Sequence, residues 1–176
     1  YLKGVYSKVV QVENGELKIE DLYNSHVQGY FETNFNFTLS GFALDSASIN
    51  RTDKFFYASN FDIQFTDYRM RLVDDLHRIK VDRISILSSD RKLQVQNLLL
   101  EPVVSNIDQS VAENYSRSEL YKIKIPEIEL TNVNLREAFF HNKLDAEQFQ
   151  ITNPDIYFEN FGTLRRKKEK SEFTEF

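Results

Sequence analysis

One apolar spacing recurs along this chain and limits what it can fold into: φ-x-φ-x-x-φ-x-φ, with φ apolar and x mostly polar. Ile63, Phe65, Tyr68 and Met70 fit it. So do Ile79, Val81, Ile84 and Ile86, and Ile123, Ile125, Ile128 and Leu130. The set Ile128, Leu130, Val133 and Leu135 and the set Leu144, Ala146, Phe149 and Ile151 follow the same rule. Leu93, Val95, Leu98 and Leu100 match with Leu99 as an extra apolar residue, and Leu17, Ile19 and Leu22 form a partial copy. At this apolar content roughly one full match is expected by chance, so the pattern is a property of the fold.

Each half of the motif has the period of two that belongs to a strand. The additional residue in the middle has a physical consequence. In a plain strand the second apolar pair turns to the opposite face. A β-bulge absorbs one residue, keeps both pairs on one face and adds twist. The pairs Asp82–Arg83, Gln96–Asn97, Pro126–Glu127 and Glu147–Gln148 sit where such bulges are expected. The competing expectation is burial on both sides, with the faces exchanged halfway along the strand.

Plain alternation also occurs. Phe31, Thr33, Phe35, Phe37 and Leu39 alternate with Glu32, Asn34, Asn36 and Thr38, and Gly41 offers a break. A longer similarity lies over these units: residues 62–86 align without gaps on 127–151. Asp62-Ile63-Gln64-Phe65-Thr66-Asp67 corresponds to Glu127-Ile128-Glu129-Leu130-Thr131-Asn132. Glu16 to Leu22 echoes Lys92 to Leu98. Self-similarity at this scale implies stacked supersecondary units. Helix is scarce: Arg71 to His77 and Arg136 to Asn142 are each long enough for a turn or two. Residues 103–119 are polar and read as a long loop with room for a short helix.

The expected fold is therefore all-β: a curved, twisted, mainly antiparallel sheet of repeated bulged strands with one or two short connector helices. Residues 1–164 are expected to form one repetitive β-domain, with the internal repeat 62–86 and 127–151, and 165–176 a charged tail. At 176 residues, with 41% apolar and 28% charged, the chain is long enough to bury a core. The first residue, Tyr1, falls within apparent strand sequence, so the chain reads as a piece of a longer one.

Several functions are disfavoured. A net charge of −5 argues against a protein that tracks nucleic-acid phosphates. The absence of cysteine removes disulfide scaffolds, thiolate metal sites and cysteine nucleophiles. His26, His77 and His141 lie in different segments without metal-ligand spacing and read as surface or turn residues. Asp74-Asp75 with His77 reads as a polar linker. No phosphate loop, nucleophile elbow or calcium loop is present. The expectation is a protein with no catalytic residues, no metal and no cofactor. Glycosylation sequons at Asn36, Asn50 and Asn114 are about as frequent as chance allows. The run Arg165-Arg166-Lys167-Lys168-Glu169-Lys170 reads as a solvated tail, with an anionic membrane surface or a partner as the alternative.

Two units close on a proline: Lys92-Leu93-Gln94-Val95-Gln96-Asn97-Leu98-Leu99-Leu100-Glu101-Pro102, and Leu144-Asp145-Ala146-Glu147-Gln148-Phe149-Gln150-Ile151-Thr152-Asn153-Pro154-Asp155-Ile156. These units, within residues 55–160, resemble the AsmA-like proteins of bacterial envelopes. The resemblance implies a long repetitive β-structure in the periplasm, anchored in the inner membrane in the full-length chain. It also implies an apolar groove that carries phospholipid between membranes, and no catalytic residues. On that reading Phe35, Phe37, Ile63, Phe65, Ile84, Ile86, Leu98, Leu100, Ile128, Leu130, Phe149 and Ile151 line the groove. The expected partners are lipid or another apolar ligand, the membrane-anchored remainder of the same chain, and proteins that pair with the sheet edges. The alternative is a structural or adhesive module in which the same side chains pack a closed core.

Overall fold

The computed structural model describes residues 3–20, 30–46, 56–72, 76–103 and 119–160. The strands are β1 (Gly4–Glu20), β2 (Tyr30–Asp45), β3 (Asn60–Arg71), β4 (His77–Leu87), β5 (Lys92–Pro102), β6 (Glu119–Thr131), β7 (Gln148–Thr152) and β8 (Asp155–Asn160). A short helix, α1 (Leu135–His141), lies between β6 and β7. The strands form a single open antiparallel sheet in the order β1-β2-β3-β4-β5-β6-β7, and β8 also pairs with β6. The far edge is one broken strand. Its β7 half covers Glu127 to Thr131 of β6, and its β8 half covers Glu119 to Lys124.

The register settles what the two middle residues of the motif do. Phe35 pairs with Phe65, and Phe31 pairs with Met70. Directly opposed residues share a face. Phe31 and Phe35 are separated by an even step, Phe65 and Met70 by an odd one, so β3 absorbs one extra residue between them. That residue is Asp67, held in the left-handed region at φ 54°. Thr33 of β2 stands opposite this bulge and donates its hydroxyl to the Thr66 carbonyl at 3.0 Å.

The same conformation recurs at Asn97 (φ 53°), Asn132 (φ 51°) and Asn153 (φ 45°). In each case it is the second of the two middle residues, with Pro154 filling the apolar position after Asn153. Asn and Asp enter this region at lower cost than other side-chain-bearing residues. Of the four pairs expected to bulge, Gln96–Asn97 carries a left-handed residue, whereas Glu147–Gln148 falls where β7 begins and not within a strand; the other left-handed positions, Asp67, Asn132 and Asn153, lie outside those pairs. Asp82 and Pro126 lie at the same level in their strands, between these bulges. Because neighbouring strands each take their extra residue at one level, the register runs through from β3 to β8 without a shift. The result is a crease crossing the sheet, which adds twist and curvature to each strand it crosses.

The internal repeat is reproduced in the pairing. Ile63 opposes Ile86 and Phe65 opposes Ile84 in the β3–β4 hairpin. Their counterparts Ile128 and Ile151, and Leu130 and Phe149, oppose one another between β6 and β7. The left-handed Asp67 has its counterpart in the left-handed Asn132. After that point the copies diverge. The first continues as strand through Tyr68 and Met70, whereas the second turns at Val133 into α1.

Four expectations are corrected. Arg71 and His77, expected to bound a helical turn, lie in strands: Arg71 closes β3, His77 opens β4, and the Leu72 amide donates to the His77 carbonyl at 2.9 Å. Residues 73–75, including Asp74 and Asp75, lie outside the described residues, as do most of 103–119, the partial copy beyond Glu20 and the tail 165–176. Gly41 does not end its strand. It takes φ 65° and β2 runs on to Asp45. A side chain there would meet the Ser59 hydroxyl at 2.8 Å, so glycine lets the strand bend against Ser59 and continue. Leu144 and Ala146 precede β7 rather than extend it, and Glu147 hydrogen-bonds through its amide to the Thr131 carbonyl at 3.1 Å. Finally, His77 is neither a surface nor a turn residue; it is fully buried.

Candidate functional site: an apolar gutter

Following the pairs across the sheet gives continuous apolar rows. One runs Phe37, Ile63, Ile86, Leu93, Leu130, Phe149. The next runs Phe35, Phe65, Ile84, Val95, Ile128, Ile151. Beyond the crease, Leu98 opposes Ile125, and a third row runs Phe31, Met70, Ile79, Leu100, Ile123, Ile156. All of these share the face set by β2. The structure thus brings the twelve side chains singled out in the sequence to one side of one sheet.

The opposite face is polar. Its rows include Asn36, Gln64, Ser85, Gln94, Glu129 and Gln150. Lys92 pairs with Glu129 at 2.7 Å, and Arg69 with Glu32 at 2.9 Å. Leu99 is the one apolar residue of its motif on this side, opposite Lys80 and Lys124.

Among the described residues no second sheet covers the apolar face. The fully buried apolar residues are few: Leu39, Ala58 and Phe61 form one cluster near an end, with Val10, Phe37, Phe42, Ile63, Ile86 and Leu135 packed against it, and Val81 is buried in the middle of β4 opposite Tyr68. Along the middle of the face Phe65, Ile84, Leu98 and Leu100 are only half-buried. Towards the far edge exposure rises to 60% at Phe149, 42% at Ile151 and 68% at Phe158. β1 likewise leaves Val12, Leu17 and Ile19 exposed on this face. A contiguous apolar surface of this extent is unusual on a protein that binds nothing there.

The ends of the gutter are built differently. At one end a relay of edge-to-face rings links the sheet to α1. Phe37 meets Phe56 at 5.5 Å, Phe56 meets Phe139 at 5.4 Å, and Phe139 meets Phe140 at 5.1 Å. The helix is held by its own caps. Asn134 accepts from the Glu137 amide at 3.2 Å, and Asn142 closes it with φ 54°. Phe139 and Phe140 remain about half exposed, so this helix places aromatic surface beside the gutter instead of sealing it. At the other end His77 stacks on Tyr121 with centroids 3.9 Å apart and accepts the Tyr121 amide at Nε2, 3.2 Å away. This joins β4 to β6 across Pro102, the last residue of β5, and Val103 just after it donates to the Leu76 carbonyl at 2.8 Å.

Nearer the first edge, the Phe35 ring lies over Gly15, where a side chain would come within 2.5 Å of it. The bare glycine lets an aromatic of β2 cover part of β1. Several gutter residues escaped the sequence reading, among them Phe31, Met70, Ile79 and Val95. Phe31 belongs to the plain alternation, and the others were already present in the motif copies.

Among the described residues no three His, Asp or Glu side chains group as a metal site, and no helix is long and apolar enough to cross a membrane. No protein-family model matches the chain, and neither a curated protein nor a solved structure is similar enough to count as a match.

Proposed function

We propose that this chain is a non-catalytic β-groove segment that holds acyl chains of phospholipid on its apolar face, as a passage or shelter between membranes. The observation that carries the reading is the set of unbroken apolar rows on one open sheet. Phe65, Ile84, Ile86, Leu98 and Leu100 lie within these rows, half-buried, with no second layer over them among the described residues. The dimensions agree. A strand of about ten residues spans roughly 34 Å, whereas one leaflet's acyl chains occupy about 15 Å of the bilayer core. The gutter is long enough for an acyl chain lying along a strand, and several strands wide.

The envelope setting and an inner-membrane anchor elsewhere in the full-length chain are part of the same proposal. They rest on the resemblance of the Lys92–Pro102 and Leu144–Ile156 units to AsmA-like proteins. Among the described residues no further strand pairs with the edges at β1 and β7–β8, which offer their backbone to further β-structure or to a protein partner.

Binding of a fluorescent fatty acid tests the proposal. The chain is expected to bind it saturably, and phospholipid is expected to displace it. Phe65→Asp is expected to lose that binding while keeping a β-rich circular-dichroism spectrum. A chain that never binds the probe contradicts the reading.

A further inference from the structure

We infer that the charged face carries an anion site, formed by Arg69, Arg71, Arg78 and Lys80, that takes a phosphate group. This goes beyond the acyl-chain reading and does not depend on it. In the β3–β4 ladder Arg69 stands directly opposite Lys80, and Arg71 directly opposite Arg78. Like charges in directly opposed positions destabilise a sheet, so two such pairs in succession are a poor choice for structure alone.

Among the described residues two carboxylates pair with three of these cations, and Arg71 has contacts of its own. Glu32 meets Arg69 at 2.9 Å, and Glu101 meets both Arg78 and Lys80 at 2.8 Å. Because Glu101 is shared, it engages only part of the donor capacity of its two partners; a guanidinium has five N–H groups and an ammonium three. A cavity of about 520 Å³ opens among these side chains, bounded by Tyr30 on one side and Val103 on the other. Arginine forks bind phosphate oxygens in pairs, and a neighbouring lysine adds a point charge. The chain as a whole carries −5, so attraction of an anion here is local and not a property of the overall field.

The phosphate can come from a phospholipid headgroup or from a soluble phosphate ester, and one experiment separates them. The whole chain is titrated with inorganic phosphate and with glycerol 3-phosphate by calorimetry. It is also sedimented with phosphatidylcholine vesicles with and without phosphatidic acid. The variants are Arg78→Gln/Lys80→Gln; Arg69→Gln, whose side chain is 54% exposed and tolerant of change; and Lys3→Gln/Lys8→Gln, exposed around the start of β1, as an equal charge loss elsewhere.

Saturable binding of the soluble phosphates supports the site with a soluble ligand; binding only to vesicles containing phosphatidic acid supports it with a headgroup. In either case the Arg78/Lys80 pair is expected to weaken binding by about tenfold or more and Arg69→Gln by a smaller factor, with the control within about twofold. Absence of saturable binding in every arm overturns the inference. So does binding that the Arg78/Lys80 and Arg69 variants leave unchanged, or that falls equally in the control.

Discussion

Asn97 donates its side-chain amide to the Asp82 carboxylate at 2.8 Å, across the crease where both strands depart from regular pairing. The two residues sit at the same level in β5 and β4, and Asn97 is the one in the left-handed region, at φ 53°. The contact therefore has two separable parts, a backbone conformation and a side-chain bridge. Asn97→Ala is expected to lose about 1–2 kcal/mol, mostly from forcing a Cβ-bearing residue without a local hydrogen bond into that region. Asn97→Gly, which relieves the backbone but also loses the bridge, is expected to lose less. Urea denaturation of both variants decides it. Equal losses show that the bridge dominates rather than the bulge.

His77 is a structural residue in this account. It is fully buried, its ring stacks on Tyr121, and its Nε2 satisfies the Tyr121 amide. His77→Phe keeps an aromatic ring but leaves that amide without its acceptor, at a cost of about 1–3 kcal/mol. His77→Ala also opens a cavity and is expected to cost more. Thermal unfolding of the two variants checks the order. A neutral His77→Phe removes the amide contact from the account.

The Glu101 carboxyl gives a pH prediction. Burial alone raises its pKa, but hydrogen bonds from Lys80 and Arg78 outweigh this and hold it below the ordinary value of 4.5. A carboxyl lowered in the folded state stabilises the fold above its unfolded pKa, and the contribution disappears as pH falls through the folded value. Stability is therefore expected to decline as the solution is acidified below about pH 4.5, and Glu101→Gln is expected to flatten that decline. Denaturation midpoints at a series of acidic pH values measure the slope. An unchanged slope in Glu101→Gln assigns the acid sensitivity to other groups.

The open gutter and a sealed core respond differently to a buried charge. Phe65 is half-buried on the gutter, whereas Phe61 is 5% exposed in the Leu39–Ala58 cluster. Phe61→Asp places an unpaired charge in a closed environment and is expected to unfold the sheet. Phe65→Asp and Ile84→Asp, one pair along the open middle of the face, are expected to leave it folded, with a loss of no more than about 2 kcal/mol. Circular dichroism and proteolysis distinguish these outcomes. Unfolding by all three substitutions contradicts an open face.

The strand pattern was legible because alternation and the five-residue recurrence depend only on which side chains meet solvent. Ile63, Phe65, Ile84 and Ile86 announce both their strands and their shared face. The bulge was legible as a necessity of spacing, but the residue that performs it was placed only in part. Asp67, Asn97, Asn132 and Asn153 all occupy the second middle position, and their residue type was the available signal. The fate of the second repeat was not legible. Val133 and Leu135 keep the apolar spacing, yet Asn134 caps a helix and the strand ends. His77 was misread because its burial depends on Tyr121, which is distant in sequence and becomes its neighbour only through β5. The groups that meet at the charged cavity come from β2, β3, β4 and β5, and their convergence follows from register that only the assembled sheet defines.

Native mass spectrometry of the purified chain, followed by lipid extraction, tests the central claim most directly. The gutter account predicts bound species with phospholipid masses, retained in gentle ionisation and absent from Phe65→Asp. A wild-type chain that is folded, free of co-purifying lipid and unable to take up added phospholipid contradicts it.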